Sequence, residues 1–319
     1  MKRNMIIGID LGGTNLKLAL MDRSFRIKAR QVFSTAGFSE KEDLVTGIAV
    51  SVNRIIDDNG LRKAHIMGVG LGLPGPVNSK SGLVHFFPNI PGWKNVRLKA
   101  VLQRKIRLPV FIDNDANLMA LAEHTIGAAR GMQNALCITL GTGVGGGLVC
   151  EGSIYRGSTY AAGEIGHVPV NEKGPKCNCG GIACLEAYIG NKRIVKAAKA
   201  AFRKDISLEE LSARAQKGDV KAIRVWQMVG RYLGIALSGA VNLLNLDVIV
   251  IGGGVANAGS SLFDEVRAVV RKRAMSVQAR HVKIAKARLG NDAGLLGAAI
   301  LVQSHIGRRR EKNQAGFFR

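Results

Sequence analysis

Three glycine clusters, each set directly behind a short apolar run, constrain this chain more than any other feature. They are Gly12-Gly13 after Met5–Asp10, Gly141 to Gly147 after Leu136–Leu140, and Gly252-Gly253-Gly254 after Val248–Ile251. Glycine behind a strand lets the chain turn sharply and lets backbone N–H groups approach a ligand with no Cβ in between. The 40 glycines follow no collagen-like period, so a fibrous fold is excluded. With 47% apolar residues among 319, the chain has material for a sizeable core, and disorder is excluded too.

Between the clusters the periodicity alternates. Met5–Asp10, Leu16–Met21 and Phe25–Phe33 read as a meander of strands. Leu44, Ile48, Val52 and Ile55 fall at helical spacing within 40–58. Ile66–Leu71 and Val110–Ile112 read as strands and Asn117–Ala129 as a helix. A second cycle starts with strand Leu136–Leu140 and resumes at Leu148–Cys150. A loop-rich stretch, 151–190, precedes helical pattern from 191 to about 245, where Ser207-Leu-Glu-Glu has the spacing of a capping box. Strand Val248–Ile251 and helices over 258–275 and 293–305 complete it. A strand–turn–strand opening therefore occurs twice, each followed by helices, which predicts a duplicated α/β architecture with a cleft between halves.

The formal charge of +23 invites a nucleic-acid reading. Residues 94–107 carry six basic side chains and no acid, 267–288 carry eight and no acid, and Arg308-Arg309-Arg310 follows in the polar tail. Charge of this kind bears on solubility and non-specific attraction to polyanions. No helix-turn-helix or RNA-binding signature accompanies it, and aromatics are only 5%, so solvated basic helices are expected and no specific nucleic acid. The longest uncharged stretch, Gly131 to Cys150, is broken by six glycines, and Asp10 ends the first apolar run too early for a secretory signal. A soluble cytoplasmic protein without a membrane segment is expected, and the odd count of five cysteines is no disulfide framework.

Asp10-Leu-Gly-Gly-Thr14 is suited to a phosphate: Gly12 and Gly13 bring amides forward, Thr14 adds a hydroxyl, and Asp10 is placed for a hydrated Mg²⁺. A tight hairpin with an incidental Asp is the plainer alternative. Gly141, Gly143 and Gly146 match the dinucleotide pattern G-x-G-x-x-G, but that pattern needs a helix at the loop. Here Gly147-Leu-Val-Cys continues as a strand, and no P-loop is present. Two such loops, Asp10 to Thr14 and Gly141-Thr142-Gly143, suit the clamping of a triphosphate. Gly252, Gly253 and Gly254 suit an adenine or ribose. His167, Cys177, Cys179 and Cys184 form a Cys₃His set for tetrahedral Zn²⁺, four protein ligands marking a structural site. Cys137 and Cys150 read as small core residues, and histidines 65, 85, 124, 281 and 305 have no distinguishing neighbours in sequence.

Asp10-Leu-Gly-Gly-Thr, Leu140-Gly-Thr-Gly and Val250-Ile-Gly-Gly-Gly resemble the phosphate-1, phosphate-2 and adenosine motifs of the actin/hexokinase/Hsp70 superfamily. The whole chain from about residue 5 to 303 is similar to the ROK family (repressors, open reading frames and sugar kinases), and most to its bacterial glucokinase-like members. The resemblance implies duplicated ribonuclease-H-like domains with the active-site cleft between them. The expected division is 1–114 plus about 300–319 as a small domain and 115–299 as a large one carrying the zinc loop.

Further site residues follow from the same resemblance. Asp113-Asn114-Asp115-Ala-Asn117 stands between a strand and a helix. Read alone, it is as much a helix cap as a catalytic group. The family pattern makes Asp115 the general base and Asn114 a ligand of a sugar hydroxyl, with Asp113 the rival carboxylate. It also makes Glu164, His167 and Glu186 hexose contacts, and Asn89 another, each otherwise a surface carboxylate or a loop amide. The cysteine stretch resembles the family's C-x-C-G-x-x-G-C-x-E motif. Ala183 stands where glycine is usual, and strain is expected there if φ is positive.

The motifs and the resemblance imply an ATP- and Mg²⁺-dependent kinase of a hexose, glucose at its 6-hydroxyl first, and the resemblance alone implies a homodimer. N-acetylmannosamine, N-acetylglucosamine, fructose and allose are alternative substrates sharing every motif. Polyphosphate as donor ranks low, since family members that use it tend to lack the zinc cysteines. From another class, a sugar-sensing repressor would carry a helix-turn-helix ahead of the first loop, and Asp10 leaves only nine residues for one.

Overall fold

The structure, a computed structural model, describes residues 3–13, 15–35, 40–86 and 93–315. In chain order it runs β1 (Met5–Leu11), β2 (Asn15–Asp22), β3 (Ile27–Ser34), α1 (Lys41–Asp57), β4 (Ile66–Leu73), β5 (Val77–Asn78), β6 (Leu83–Phe86), β7 (Lys94–Val96), α2 (Leu98–Ile106), β8 (Val110–Asn114) and α3 (Asp115–Ile126). There follow β9 (Ala135–Leu140), β10 (Val144–Cys150), β11 (Ser153–Tyr155), α4 (Glu186–Ile189), α5 (Asn191–Phe202), α6 (Leu208–Gln216) and α7 (Val220–Leu244). The chain closes with β12 (Val248–Gly252), α8 (Ser260–Arg273), α9 (Ser276–His281), β13 (Lys283–Lys286) and α10 (Ala293–Ala315). No helix among the described residues is long and apolar enough to cross a membrane.

Two compact units share this chain: Met1–Ala122 with Arg156–Ala161 and Asp292–Arg319, and Glu123–Tyr155 with Ala162–Asn291. Each holds a five-stranded sheet of the same plan, ordered β3-β2-β1-β4-β8 in one and β11-β10-β9-β12-β13 in the other. In both, the first three strands pair antiparallel and the last three parallel. That repetition is the duplicated α/β plan expected from the two glycine turns. Sequence periodicity missed the small antiparallel sheet β5-β6-β7, whose strands of two to four residues are too short to show alternation.

In the first unit, Leu44, Ile48, Val52 and Ile55 of α1 are all fully buried, as their spacing predicts, and join Ile7, Ile9, Val69 and Leu71 in one core. Successive strand residues face opposite sides of a sheet. The residues between those β1 and β4 side chains, Gly8 and Gly70, therefore face the other way, toward α10. A Cβ on Gly70 would overlap the Ala298 carbonyl, and one on Gly8 the Leu295 carbonyl. The helix backbone lies on the sheet there.

In the second unit, α7 buries Trp226, Val229, Leu233, Leu237 and Val241 against Leu262, Val266 and Val270 of α8 and against Ile138 and Ile249 of the sheet. Each such side chain contributes roughly 1.5–3 kcal/mol by leaving water. Ser207 Oγ accepts from the Glu210 amide at 3.1 Å, as its spacing predicts, and the Asp219 carboxylate caps α7 on the amides of Lys221 and Ala222. Arg271, Lys272 and Arg273 are exposed in the last turn of α8, where positive charge complements the helix dipole.

The unit boundaries differ from the expected 114/115 and about 300. They fall at 122/123 and 291/292, with 156–161 added to the first unit. Three contacts explain this. Asp292 takes two bonds from Arg30 of β3, at 2.6 and 2.7 Å, seating the start of α10. Gly297 of α10 lets its backbone meet that of Leu118 in α3. Arg156 is drawn to Asp113 of β8. Helix α10 also continues to Ala315, through the basic run that reads in sequence as a tail.

Gly70→Ala is expected to destabilise the protein by about 2 kcal/mol or more, since overpacking against backbone has no side chain to yield. Gly239→Ala in α7, where an added Cβ meets nothing within 4 Å, is expected to be neutral or to stabilise by up to about 1 kcal/mol. Thermal denaturation of the two variants checks both.

Candidate active site and metal centre

In an open α/β sheet, ligands bind beyond the carboxyl ends of parallel strands. In the first unit that edge carries two of the groups singled out in sequence. Asp10 near the end of β1 is in register with Gly72 of β4, and Gly72 with Asp113 of β8. Asp10 and the Asp113–Asp115 turn thus flank one strand, roughly 10 Å apart at the usual strand spacing. The Asp10 carboxyl rests against the start of α10. An added Cβ on Gly294 would stand 2.9 Å from its Cγ and 3.0 and 3.1 Å from its oxygens. Burial raises the Asp10 pKa above the usual carboxylate value, against the pull of the Lys17 charge. The β1–β2 hairpin closes with the Gly12 amide on the Asn15 carbonyl at 2.9 Å, while Thr14 lies outside the described residues.

Asp113 and Asp115 have different surroundings. The Asp113 side chain is 1% exposed, and its Oδ2 accepts from both Nε and Nη2 of Arg156, at 2.9 and 2.5 Å. Its Oδ1 accepts from the Asn114 amide at 2.9 Å and from Asn117 Nδ2 at 3.3 Å. Asp115 opens α3, and its Oδ1 takes the Ala116 amide at 2.8 Å. Asn114 caps that helix: Oδ1 accepts from the amides of Ala116 and Asn117, and Nδ2 donates to the Gly75 carbonyl. The capping alternative is thus realised at Asn114, whose amide has a second N–H beyond the one given to Gly75.

In the second unit, Gly141-Thr142-Gly143 is the turn of a β-hairpin, with Val144 opposite Leu140. No helix starts there, so the dinucleotide pattern is coincidental. The Gly141 amide closes on the Gly143 carbonyl at 3.0 Å, and the Val144 amide donates to Glu186 Oε2 at 2.8 Å. Glu186 sits so tightly under the loop that a Cβ on Gly143 would overlap its carboxylate. The Asn191 amide bonds the Gly141 carbonyl at 3.0 Å, so the turn following α4 supports the loop as well. Gly252 ends β12 opposite Thr139 of β9. Gly253, with φ +82°, packs its bare Cα against the Leu140 backbone, and Gly254 opens a short 3₁₀ turn to Ala258. The second and third glycine clusters are neighbours.

The structure brings together His167, Cys177, Cys179 and Cys184, with all four donor atoms within 4.8 Å of one another. Cys177 Sγ is 3.7 Å from His167 Nδ1, and Cys179 Sγ is 3.7 Å from Cys184 Sγ. A tetrahedron with metal–sulfur bonds of about 2.3 Å has edges near 3.8 Å, so the donor set fits Zn²⁺ in spacing and in chemistry. Nδ1 of His167 faces the sulfurs, while its Nε2 lies 3.9 Å from Glu164 Oε2. Burial raises the Glu164 pKa, opposed by His167 and reinforced by the Glu186 charge. Ala183 has φ +57° and is fully buried, the strained conformation expected where glycine is usual. Left-handed backbone costs a residue with a Cβ about 1–2 kcal/mol. Here the bonds from the Ala183 amide to Pro175 and from the Val170 amide to Ala183 hold it.

Asn89 lies outside the described residues. The histidines set aside in sequence have local partners, among them His124 on the Met132 carbonyl and His281 on Asp247. Cys137 is fully buried, and burial drives its thiol pKa far up, while Cys150 is half-buried beside the core. Sequence reasoning missed Arg156 and the bond of Glu186 to Val144. Both join residues more than forty positions apart, and no local pattern announces either.

Residues 6–305 match the ROK family, and the chain belongs to it. A glucokinase of Halalkalibacterium halodurans is 34% identical over 97% of this chain and 98% of its own length. The crystal structure of a ROK family glucokinase from Streptomyces griseus, in complex with glucose and AMPPNP, is 31% identical with a TM-score of 0.81, covering 94% of this chain and 99% of that one. A ROK family transcriptional regulator of known structure is 28% identical with a TM-score of 0.87, covering 94% of this chain and 78% of that one.

One tetrahedral cation per chain is the expected metal content. Cys179→Ser should abolish it and lower the melting temperature, whereas Cys150→Ser should leave both unchanged. Metal analysis and Co²⁺ titration, read by the thiolate-to-cobalt absorption band, check this. In chelated but folded protein, exposed Cys179 should alkylate first and Cys137 only on unfolding.

Proposed function

We propose that this chain is an ATP-dependent hexose kinase acting on the 6-hydroxyl of glucose, with Asp115 as general base. The observation that carries this reading is the row formed by Asp10, Gly72 and Asp113 at the carboxyl edge of the first sheet. It sets a carboxylate suited to Mg²⁺ two strands from a carboxylate suited to a sugar hydroxyl. Asp113 is buried on Arg156, whereas Asp115 is partly exposed at the start of α3, which favours Asp115 as the carboxylate to accept a proton. In the transfer, the sugar O6 forms its bond to the γ-phosphorus as the bond from that phosphorus to the bridging oxygen of ADP breaks. Asp115 takes the O6 proton.

The other residues have supporting roles in this reading. Asn114, with its second amide N–H, Glu164, His167 Nε2, Glu186 and Asn89 would hold the hexose hydroxyls. Gly12, Gly13, Thr14 and Gly141-Thr142-Gly143 would receive the phosphates, and Gly252 to Gly254 the adenosine. Asp10 would hold Mg²⁺, which neutralises charge on the transferring group when bound. Zn²⁺ in the Cys₃His set would be structural, fixing the orientation of His167 and of the turn that bears Glu186. The relatives support this reading: glucokinases match over nearly their whole length. A second reading, a sugar-binding regulator without turnover, is favoured by the likeness to a transcriptional regulator.

ADP release from Mg²⁺-ATP with glucose, mannose, fructose, allose, N-acetylglucosamine and N-acetylmannosamine separates the two. A preference for glucose of about a hundredfold, equivalent to about 2.7 kcal/mol of discrimination, is expected. The same preference for another sugar would replace the substrate and keep the class. Sugar binding with no ADP from any of them would establish the regulator.

A further inference from the structure

We infer that Arg156 is a positioning residue for the proposed phosphoryl transfer, acting through the buried Asp113 carboxylate on the turn that carries Asn114 and Asp115. The inference rests on the assignment of Asp115 as base. Two side chains, Asp113 and Asn114, carry the polar links that tie this turn to the sheet and to α3. Asp113 holds the Asn114 amide and the Asn117 side chain with one oxygen, and gives the other wholly to Arg156. Asn114 then holds the amides of Ala116 and Asn117 and reaches the Gly75 carbonyl. Asp115 lies between these anchors, its Oδ1 on the Ala116 amide in the first turn of α3.

A carboxylate this deeply buried needs a charged partner, or it must protonate or turn toward water. Either response would release the Asn114 amide and rotate the turn. Arg156 supplies that partner from 43 residues further along, immediately after β11, and the segment 156–161 is gathered into the first unit with it. The arrangement is specific to arginine. Nε and Nη2 of one planar fork converge on one oxygen, which a lysine ammonium, a single point donor, cannot reproduce. Arg156 is itself about a quarter exposed, so its cost of burial is modest beside that of the carboxylate it serves.

The test uses Arg156→Lys in the full chain, with three readouts. Thermal melting reports the fold, hydrogen exchange at the amides of residues 114–117 reports the turn, and steady-state kinetics with Mg²⁺-ATP and the best sugar report transfer. The expected result is a melting temperature within a few degrees of wild type and exchange at 114–117 faster by about tenfold or more. The turnover number should fall by about ten- to a hundredfold, with the KM for ATP unchanged. Wild-type protection at 114–117 would overturn the inference, as would wild-type turnover with the turn loosened.

If Arg156→Lys fails to fold, the double variant Asp113→Asn/Arg156→Gln removes both charges together and takes the same readouts. Protection at 114–117 and turnover as in wild type would overturn the inference there too. Absence of turnover in the wild-type protein would refute the kinase reading alone, and the exchange measurement would still decide whether Arg156 holds the turn.

Discussion

Backbone touches backbone at the positions that set this site, and each contact exists because a side chain is missing. Gly70 admits Ala298, Gly297 admits Leu118, and Gly253 admits Leu140. With a Cβ at any of these, two elements would have to separate by more than a close-packed interior tolerates. The first contact seats α10 on the sheet, with its start beside Asp10, and the second seats α3, which Asp115 opens, on α10. The third sets the turn after β12 against the end of β9, bringing two glycine clusters of the second unit together. The loops are thus positioned by the packing of the helices and strands behind them.

Within each unit, the candidate carboxylates have distinct environments. Asp113 is buried and paired, Asp10 is buried with Lys17 as its charged neighbour, and Glu164 and Glu186 lie near one another beside His167. Glu186 serves two structures at once. It follows Cys184 by two residues and accepts the Val144 amide, so the cysteine loop and the second glycine loop are linked through one side chain. A metal that orders the cysteine loop would thereby also order the glycine loop.

Much of this was legible in the sequence because the signals are local. The spacing of Leu44, Ile48, Val52 and Ile55 marked the buried face of α1. The strand after Gly147 excluded a dinucleotide fold, and three cysteines in eight residues marked the loop that gathers with His167. The resemblance posed the question of φ at position 183, and Ala183 does adopt a positive one. What was not legible is long-range. The Asp113–Arg156 pair, the Glu186–Val144 bond and the Arg30–Asp292 fork join residues whose types are ordinary and whose separation carries no period. The choice between cap and ligand at Asn114 depended on where Gly75 and the α3 amides fall, which spacing alone does not fix. The unit boundaries shifted for the same reason, since they follow contacts of α3, α10 and residue 156 with a sheet formed far away in sequence.

Asp115 as the proton acceptor is the claim on which the chemical account turns, and the kinetics of Asp115→Asn test it most directly. Loss of a general base removes about two to four orders of magnitude from the turnover number, and loss of an interaction made only in the transition state leaves substrate affinity nearly unchanged. Turnover of Asp115→Asn should therefore fall by at least about a hundredfold, with sugar and nucleotide affinities within about threefold of wild type, while Asp113→Asn retains a measurable fraction of activity. Turnover of Asp115→Asn equal to wild type would contradict it.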